Sequence, residues 1–130
     1  MSGHTKRIEI RWSDLDAFGH VNHARFATFL EEARDEWLQR VVGPALDDFL
    51  IRRIEIDFLS QLVHADDVVD ATVALERIGT SSLVTSERIV VAGGGRLAAT
   101  ATCVLVHTGP EHVRAEPIGL DLRALLLPGA

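Results

Sequence analysis

The sequence predicts an α+β fold in which an antiparallel five-stranded sheet wraps around one long helix. One stretch of about five turns repeats its apolar residues at helical spacing, and five segments alternate apolar and polar residues as half-buried strands do. A chain of 130 residues can be served by one core, so we expect a single domain over residues 1–130.

The first strand is predicted over residues 6–12. Ile8, Ile10 and Trp12 lie on one side of this strand and charged residues on the other, which is the period of two that a half-buried strand requires. The strand is expected to end where the chain changes to an acidic stretch that contains a glycine.

The long helix is predicted to begin at Asn22 and to end at Gly43-Pro44, since Asn is a good N-cap and proline cannot continue a helix. Apolar residues recur along it at steps of three or four: Phe26, Leu30, Ala33, Trp37 and Val41. The aromatic side chains of Phe26, Phe29 and Trp37 are expected to fill the core.

Four more strands and a short helix are predicted after the long helix. The strands cover residues 54–58, 69–75, 83–91 and 96–108, and the helix covers residues 120–127. Glycine-containing turns at residues 79–81 and 93–95 join the last three strands as hairpins. Because one helix cannot cover both faces of five strands, an open face and edge remain, which predicts a partner subunit.

Composition excludes several classes of partner. The net charge of −6 argues against binding to a nucleic-acid backbone, which needs an excess of Lys and Arg. No run of about 20 apolar residues and no signal-peptide pattern occurs, so no membrane association is expected. The single cysteine, Cys103, lies in an apolar strand and is expected to be a buried free thiol in a cytoplasmic protein.

The candidate chemical groups cluster in residues 13–26, between the first strand and the long helix. Four of them lie within ten residues: Asp14, Asp16, His20 and His23. A helix N-terminus offers unpaired N–H groups and about half a positive charge, so amides near His23 and Ala24 could stabilise an oxyanion. Asp16, in a loop that bends at Gly19, could serve as a general base or a nucleophile.

Two plainer interpretations of these groups stay open on the residues alone. Asp16 could cap a turn, which is a common role of Asp in loops. The four side chains could hold a metal ion, but no helical His-Glu-x-x-His pattern and no pair of cysteines supports this, so no metal is predicted. His20 is expected to be a solvent-facing or hydrogen-bonded loop residue, and Asp14 to support the loop.

Three runs carry a resemblance to a known family. Asp14-Leu15-Asp16-Ala17-Phe18-Gly19 precedes Asn22-His23-Ala24-Arg25-Phe26, and Glu31-Glu32-Ala33-Arg34-Asp35-Glu36-Trp37 follows on the helix. With Ile54-Glu55-Ile56-Asp57-Phe58 on the second strand, these runs resemble the hotdog-fold acyl-CoA thioesterases of the 4-hydroxybenzoyl-CoA thioesterase branch. The resemblance spans nearly the whole chain. The proline that often follows the second strand in this family is replaced by Ser60-Gln61-Leu62-Val63-His64.

The resemblance implies a hotdog fold and hydrolysis of an acyl-CoA to a free acid and CoA. Together with the uncovered sheet it implies a homodimer or homotetramer with sites between subunits. Asp16 falls on the catalytic carboxylate. His23 falls at the helix start, where a backbone amide polarises the thioester carbonyl and where some branches also use a histidine side chain. Gly19, Asn22 and Ala24 are assigned to substrate binding. No cofactor is implied, because CoA is part of the substrate.

Two other functions stay open. A noncatalytic module that binds acyl-CoA or an acyl-carrier-protein thioester would keep the pocket but need no carboxylate at position 16. A hydratase or dehydratase is a third candidate, although the His-containing motif usual in such relatives is not evident. Arg77, Arg88 and Arg96 are candidates for the CoA phosphates, since arginine binds phosphate with two parallel hydrogen bonds.

Overall fold

A computed structural model describes residues 3–127 of the chain. Its elements, in chain order, are β1 (Gly3–Glu9), α1 (His23–Val42), β2 (Phe49–Phe58), β3 (Val68–Ile78), β4 (Ser82–Val91), β5 (Leu97–His107) and α2 (Leu120–Leu126). Short 3₁₀ turns lie at Trp12–Asp14, Gly43–Asp48 and His64–Asp66. The predicted combination of five strands, one long helix and a short terminal helix is confirmed.

The sheet is antiparallel throughout, with the strand order β1-β3-β4-β5-β2. β3, β4 and β5 form two successive hairpins in its middle, joined at the predicted turns. β1 and β2 form opposite edges, and α1 lies between them in the chain. The helix therefore crosses one face of the sheet and leaves the other face open.

The sequence at each end of α1 explains where the helix begins and ends. Asn22 is the N-cap, and its Oδ1 accepts a hydrogen bond from the Ala24 amide at 2.9 Å. Gly43 follows the last turn with a φ of +59°, which favours glycine, and proline comes next. Both predicted boundaries are confirmed. Neither α1 nor any other helix among residues 3–127 is long and apolar enough to cross a lipid bilayer.

Two apolar clusters fill the space between α1 and the sheet. The N-terminal cluster contains Phe26, Phe29, Leu30 and Ala33 of the helix. The C-terminal cluster contains Trp37, Leu38 and Val42. The predicted aromatic core residues are confirmed, since Phe26, Phe29 and Trp37 are all buried. Arg34 is buried as well and lies between the two clusters along the helix.

The first strand is shorter than predicted, and the prediction that Trp12 lies in this strand on the side of Ile8 and Ile10 is wrong. Strand β1 ends at Glu9, and the Ile10 amide donates to the carbonyl of Asp67, which precedes β3. Beyond that point the chain leaves the sheet, so the period of two no longer assigns a face. Trp12 lies in a 3₁₀ turn, is 74% exposed, and stacks on His64 at 3.9 Å between ring centroids.

Other strand boundaries differ where bulges interrupt the alternation. β2 begins at Phe49 rather than at residue 54, and its register shifts between Ile51 and Arg53. β3 likewise extends to Ile78, past a second shift. A bulge places an extra residue on one strand and breaks the period of two, so alternation alone does not reveal these segments.

The middle of the open face is polar, whereas one edge strand exposes apolar side chains. A row across all five strands on the open face consists of Thr5, Thr72, Arg88, Thr100 and Asp57. The edge strand β2 exposes Leu50, Ile51, Ile54 and Phe58. Part of the apolar surface expected to need a partner therefore lies along the edge strand β2.

Candidate active site

Asp14 anchors the loop that precedes α1, here called the Asp16 loop (residues 14–22). Its carboxylate is fully buried and accepts the Arg11 backbone amide at 2.8 Å. The guanidinium of Arg25, in the first turn of α1, lies 3.7 Å from the same carboxylate. The carbonyl of Asp14 accepts the Asn22 amide at 2.8 Å. Asp14 thus joins the two ends of the loop, in agreement with its predicted supporting role.

Asp16 is half-buried, and its two carboxylate oxygens differ in their hydrogen bonds. Oδ1 accepts the amides of Phe18 at 2.9 Å and His20 at 3.1 Å. Oδ2 has no hydrogen-bond partner among residues 3–127. Gly19 makes the bend with a φ of +81°, where a side chain would be strained. The turn-capping interpretation of Asp16 is therefore correct for one oxygen, and the other oxygen remains available.

The start of α1 supplies one unused backbone donor. Among the amides at the helix start, Ala24 donates to Oδ1 of Asn22, and Arg25 donates to the Asn22 carbonyl at 2.8 Å. The amide of His23, the first helical residue, has no partner among residues 3–127. The positive end of the helix dipole lies at this amide. Of the amides of His23, Ala24 and Arg25, that of His23 is therefore the one placed to donate to an anion.

A cavity of about 330 Å³ lies beside these groups. Its lining residues are Asp16, His20, Val21, His23, Phe26, Phe58, Leu59, Ser60 and Gln61. The Phe58 ring meets the ring of Phe26 edge-on at 5.1 Å and that of His23 at 6.2 Å between centroids. The cavity thus has a polar side, formed by an acid and two histidines, and an apolar side formed by two phenylalanines.

The structure brings some of the predicted site residues together and leaves others beside the cavity. Asp16 and His23 both line it. Gly19, Asn22 and Ala24, assigned to substrate binding, lie in the loop and at the helix start but do not line it. Their observed contacts are local, since Gly19 forms the bend and Asn22 caps the helix through Ala24.

Sequence reasoning missed the wall that follows β2. Phe58, Leu59, Ser60 and Gln61 line the cavity. They reach it because the Val21 amide donates to the Leu62 carbonyl at 2.7 Å, which joins the Asp16 loop to this segment. A signal was present in the exposed pair Phe58-Leu59 at the end of an otherwise alternating strand. The segment that replaces the family's proline is thus part of the cavity.

The cysteine and the arginines considered as chemical groups do not line this cavity. Burial raises the pKa of Cys103 to about 11, so this free thiol is protonated at neutral pH. Arg88 lies on the open face, while Arg96 binds Asp66 at 2.7 Å and the carbonyl of Gln61 at 3.3 Å. Within the described part of the chain, no three His, Cys, Asp or Glu side chains are grouped as a metal ion would need.

The chain matches a known family over most of its length. The sequence model of the thioesterase-like superfamily matches residues 10–125. The chain belongs to this superfamily. The matched stretch contains the Asp16 loop, all of α1 and every residue that lines the cavity.

Individual thioesterases are similar in sequence and in structure. The long-chain acyl-CoA thioesterase FadM of Escherichia coli (strain K12) is 29% identical over 125 residues, which are 92% of this chain and 94% of FadM. The acyl-CoA thioester hydrolase YbgC of Escherichia coli O6:H1 is 27% identical over 89 residues, which are 64% of this chain and 66% of YbgC. A thioesterase from Thermus thermophilus, solved in complex with coenzyme A and Zn, has a TM-score of 0.84 and 30% identity, covering 95% of this chain and 91% of its own.

These similarities confirm the predicted hotdog fold and the predicted membership of the acyl-CoA thioesterase family. With them, the expected class of enzyme, a thioester hydrolase, is also confirmed.

Proposed function

We propose that this thioesterase hydrolyses an acyl-CoA to a free acid and CoA in the cavity between the Asp16 loop, the start of α1 and the end of β2. The observation that carries the proposal is the meeting in one cavity of a carboxylate with an unused oxygen, two histidines and an apolar wall. FadM, YbgC and the CoA-bound thioesterase from T. thermophilus support CoA thioesters as the substrate class.

Asp16 is the proposed base or nucleophile. As a base, its Oδ2 takes a proton from a water molecule whose oxygen attacks the thioester carbon. As a nucleophile, Oδ2 attacks that carbon itself, and water then hydrolyses the mixed anhydride. On either route the C–S bond breaks, and CoA leaves as a thiolate that takes up a proton. The amides of Phe18 and His20 donate to Oδ1 and orient the carboxylate. Asp16 can therefore cap the turn through Oδ1 and react through Oδ2.

The His23 amide is the proposed donor to the oxyanion that forms on the thioester carbonyl. It has no partner among residues 3–127 and lies at the positive end of α1. A donor aimed in advance at such an oxygen typically contributes about 3 kcal/mol to transition-state stabilisation. Asn22 and Ala24 support this amide by holding the first turn of the helix. The ring of His23, which faces Phe58, is proposed to contact the substrate.

We further propose that the protein forms a homodimer or homotetramer in the cytoplasm. The apolar side chains exposed along β2 and the unpaired backbone of this edge strand support edge-to-edge pairing of two copies. The buried free thiol of Cys103 suits a reducing compartment. Sedimentation of the wild type and of Ile51→Lys tests the assembly, with Leu125→Lys on α2 as a control of similar exposure, since Ile51 is 47% and Leu125 50% exposed. A monomeric wild type would contradict it.

The deciding experiment is a thiol-release screen with short, long and aromatic acyl-CoAs and with acyl-carrier-protein thioesters. We expect at least one class to be hydrolysed, and Asp16→Asn to lower its turnover by at least about 100-fold. Asp121→Asn, an exposed acid on α2, is the matched control and should retain full turnover. If the wild type binds these thioesters without releasing thiol, the chain is a binding module instead.

A further inference from the structure

A buried ion pair links the middle of α1 to the central strand of the sheet. Nε and Nη2 of Arg34 donate to Oε2 and Oε1 of Glu87 at 2.8 and 2.7 Å, and Thr85 Oγ1 donates to Oε2 at 2.6 Å. Arg34 and Glu87 are only 1% and 3% exposed. Burial opposes the charge on Arg34, but the hydrogen bonds and charge of Glu87 outweigh it and hold the pKa of Arg34 above its ordinary value.

Stability alone does not account for this pair. Taking two charges out of water costs several kcal/mol each, and a well-packed apolar replacement is often as stable or more stable. The pair also interrupts the core, because the N-terminal cluster lies on one side of it along α1 and the C-terminal cluster on the other. What the pair does provide is a fixed geometry between the helix and the sheet.

The buried contacts between the sheet and the N-terminal half of α1 are apolar. The strand residues of the N-terminal cluster are four alanines and four branched aliphatic residues: Ala71, Ala98, Ala99, Ala101, Ile8, Val69, Ile89 and Val91. Apolar contacts have no preferred direction, so they specify the rotation and position of the helix less sharply than a directed bond does. Two parallel hydrogen bonds between a guanidinium and a carboxylate do fix direction and distance.

We propose that Arg34 and Glu87 are positioning residues for hydrolysis, because their bond fixes the rotation and translation of α1 on the sheet and thereby the place of the His23 amide relative to Asp16. This inference rests on the proposed function. Arg34 lies about 16 Å along the helix from His23, at 1.5 Å per residue, so it acts through α1. The Asp16 loop is held at two places, since Asp14 joins it to the start of α1 and Val21 joins it to Leu62 after β2. A displaced helix therefore moves one of these two attachments relative to the other and changes the spacing of the two reacting groups.

The test replaces both charges at once. In Arg34→Met/Glu87→Leu no buried charge is left unpaired and only the Thr85 hydroxyl loses its acceptor, so we expect the melting temperature to fall much less than in Arg34→Met alone. We expect kcat to fall by about tenfold or more at a nearly unchanged KM, since a misplacement of about 1 Å can cost about 100-fold. Leu38→Met, a volume-conserving change on the same buried helix face, is the control and should change kcat by less than about twofold.

Hydrogen exchange at the amides of residues 23–30 gives a readout that does not need activity. We expect faster exchange there in the double variant than in Leu38→Met. Equal exchange and equal kcat in the two variants would overturn the proposal and leave the pair a purely structural one. A wild type without thioesterase activity would overturn the proposed function, while the exchange comparison would still decide whether the pair positions the helix.

Arg34→Lys covers the case in which the double variant does not fold. Lysine keeps the charge but cannot form the two parallel hydrogen bonds. We expect Arg34→Lys to fold and to have a lower kcat than the wild type, with KM nearly unchanged. Wild-type kcat per folded molecule in Arg34→Lys, together with wild-type exchange at residues 23–30, would overturn the proposal.

Discussion

The Asp16 loop and the Arg34–Glu87 pair hold their charged groups in opposite ways. In the loop, the Asp16 carboxylate is bonded by amides two and four residues away and stays half-buried. In the core, Arg34 is bonded to a residue 53 positions away in the chain, and both partners are buried. Local bonds therefore orient the reactive group, whereas a distant contact places the helix that the loop must face.

Asp14 lies between these two extremes. Its carboxylate is buried like that of Glu87, but the side chains of its arginine partners, Arg11 and Arg25, are 59% and 41% exposed and stand 3.5 and 3.7 Å away. Its shorter bonds are to the backbone amides of Arg11 and, through its carbonyl, of Asn22. We infer that Asp14 acts mainly by closing the loop, since these backbone bonds are shorter than its contacts with the two arginines.

The largest effect should come from breaking the buried pair on one side only. Arg34→Met leaves the Glu87 carboxylate buried without its partner, so we expect the free energy of unfolding to fall by about 3–5 kcal/mol. Arg40→Met removes an exposed partner of Glu36 on the same helix and should cost less than about 1 kcal/mol. Urea unfolding of both variants makes the comparison. Equal losses would mean that burial does not distinguish the two pairs.

The second-largest effect is expected at Asp16, where two variants separate catalysis from turn capping. Asp16→Asn keeps an oxygen that can accept the Phe18 and His20 amides but loses the charge, so turnover should fall by at least about 100-fold with little change in unfolding. Asp16→Ala loses the cap as well and should also lower the free energy of unfolding by about 1 kcal/mol. Equal stability of the two variants would show that the cap contributes nothing to the fold.

The comparison also explains how much could be predicted from the sequence. The helix between Asn22 and Gly43 and the hairpin turns depend on neighbours in the chain, and both were predicted from local pattern. The role of Asp16 as a cap is also local, and it was one of the interpretations left open. The place of Trp12 was predicted wrongly because the period of two continues in the sequence after the strand has ended.

Features that depend on distant partners could not be predicted in this way. The β2 bulge near Ile51 changes the register with β5, which lies about 50 residues further on. The cavity wall at Phe58 becomes part of the site only because β2 lies at a sheet edge beside the Asp16 loop. Arg34 looked like one more charged helix residue, since nothing near it in the chain reveals Glu87.

The smallest effect is expected at Cys103, which contacts the same buried network without taking part in chemistry. Burial raises the pKa of Cys103 to about 11, although the charge of Arg34 acts to lower it. At pH 8 only about 0.1% of such a thiol is the reactive thiolate, so an alkylating reagent should leave turnover unchanged in the native protein and label the thiol rapidly in urea. Because the unfolded thiol has the lower pKa, the native state should lose stability as the pH rises from about 9 towards 11. Mass spectrometry follows the labelling. Rapid labelling of the native protein at pH 8 would mean that the core opens beside the Arg34–Glu87 pair. Such opening would contradict the fixed helix position that the pair is proposed to impose.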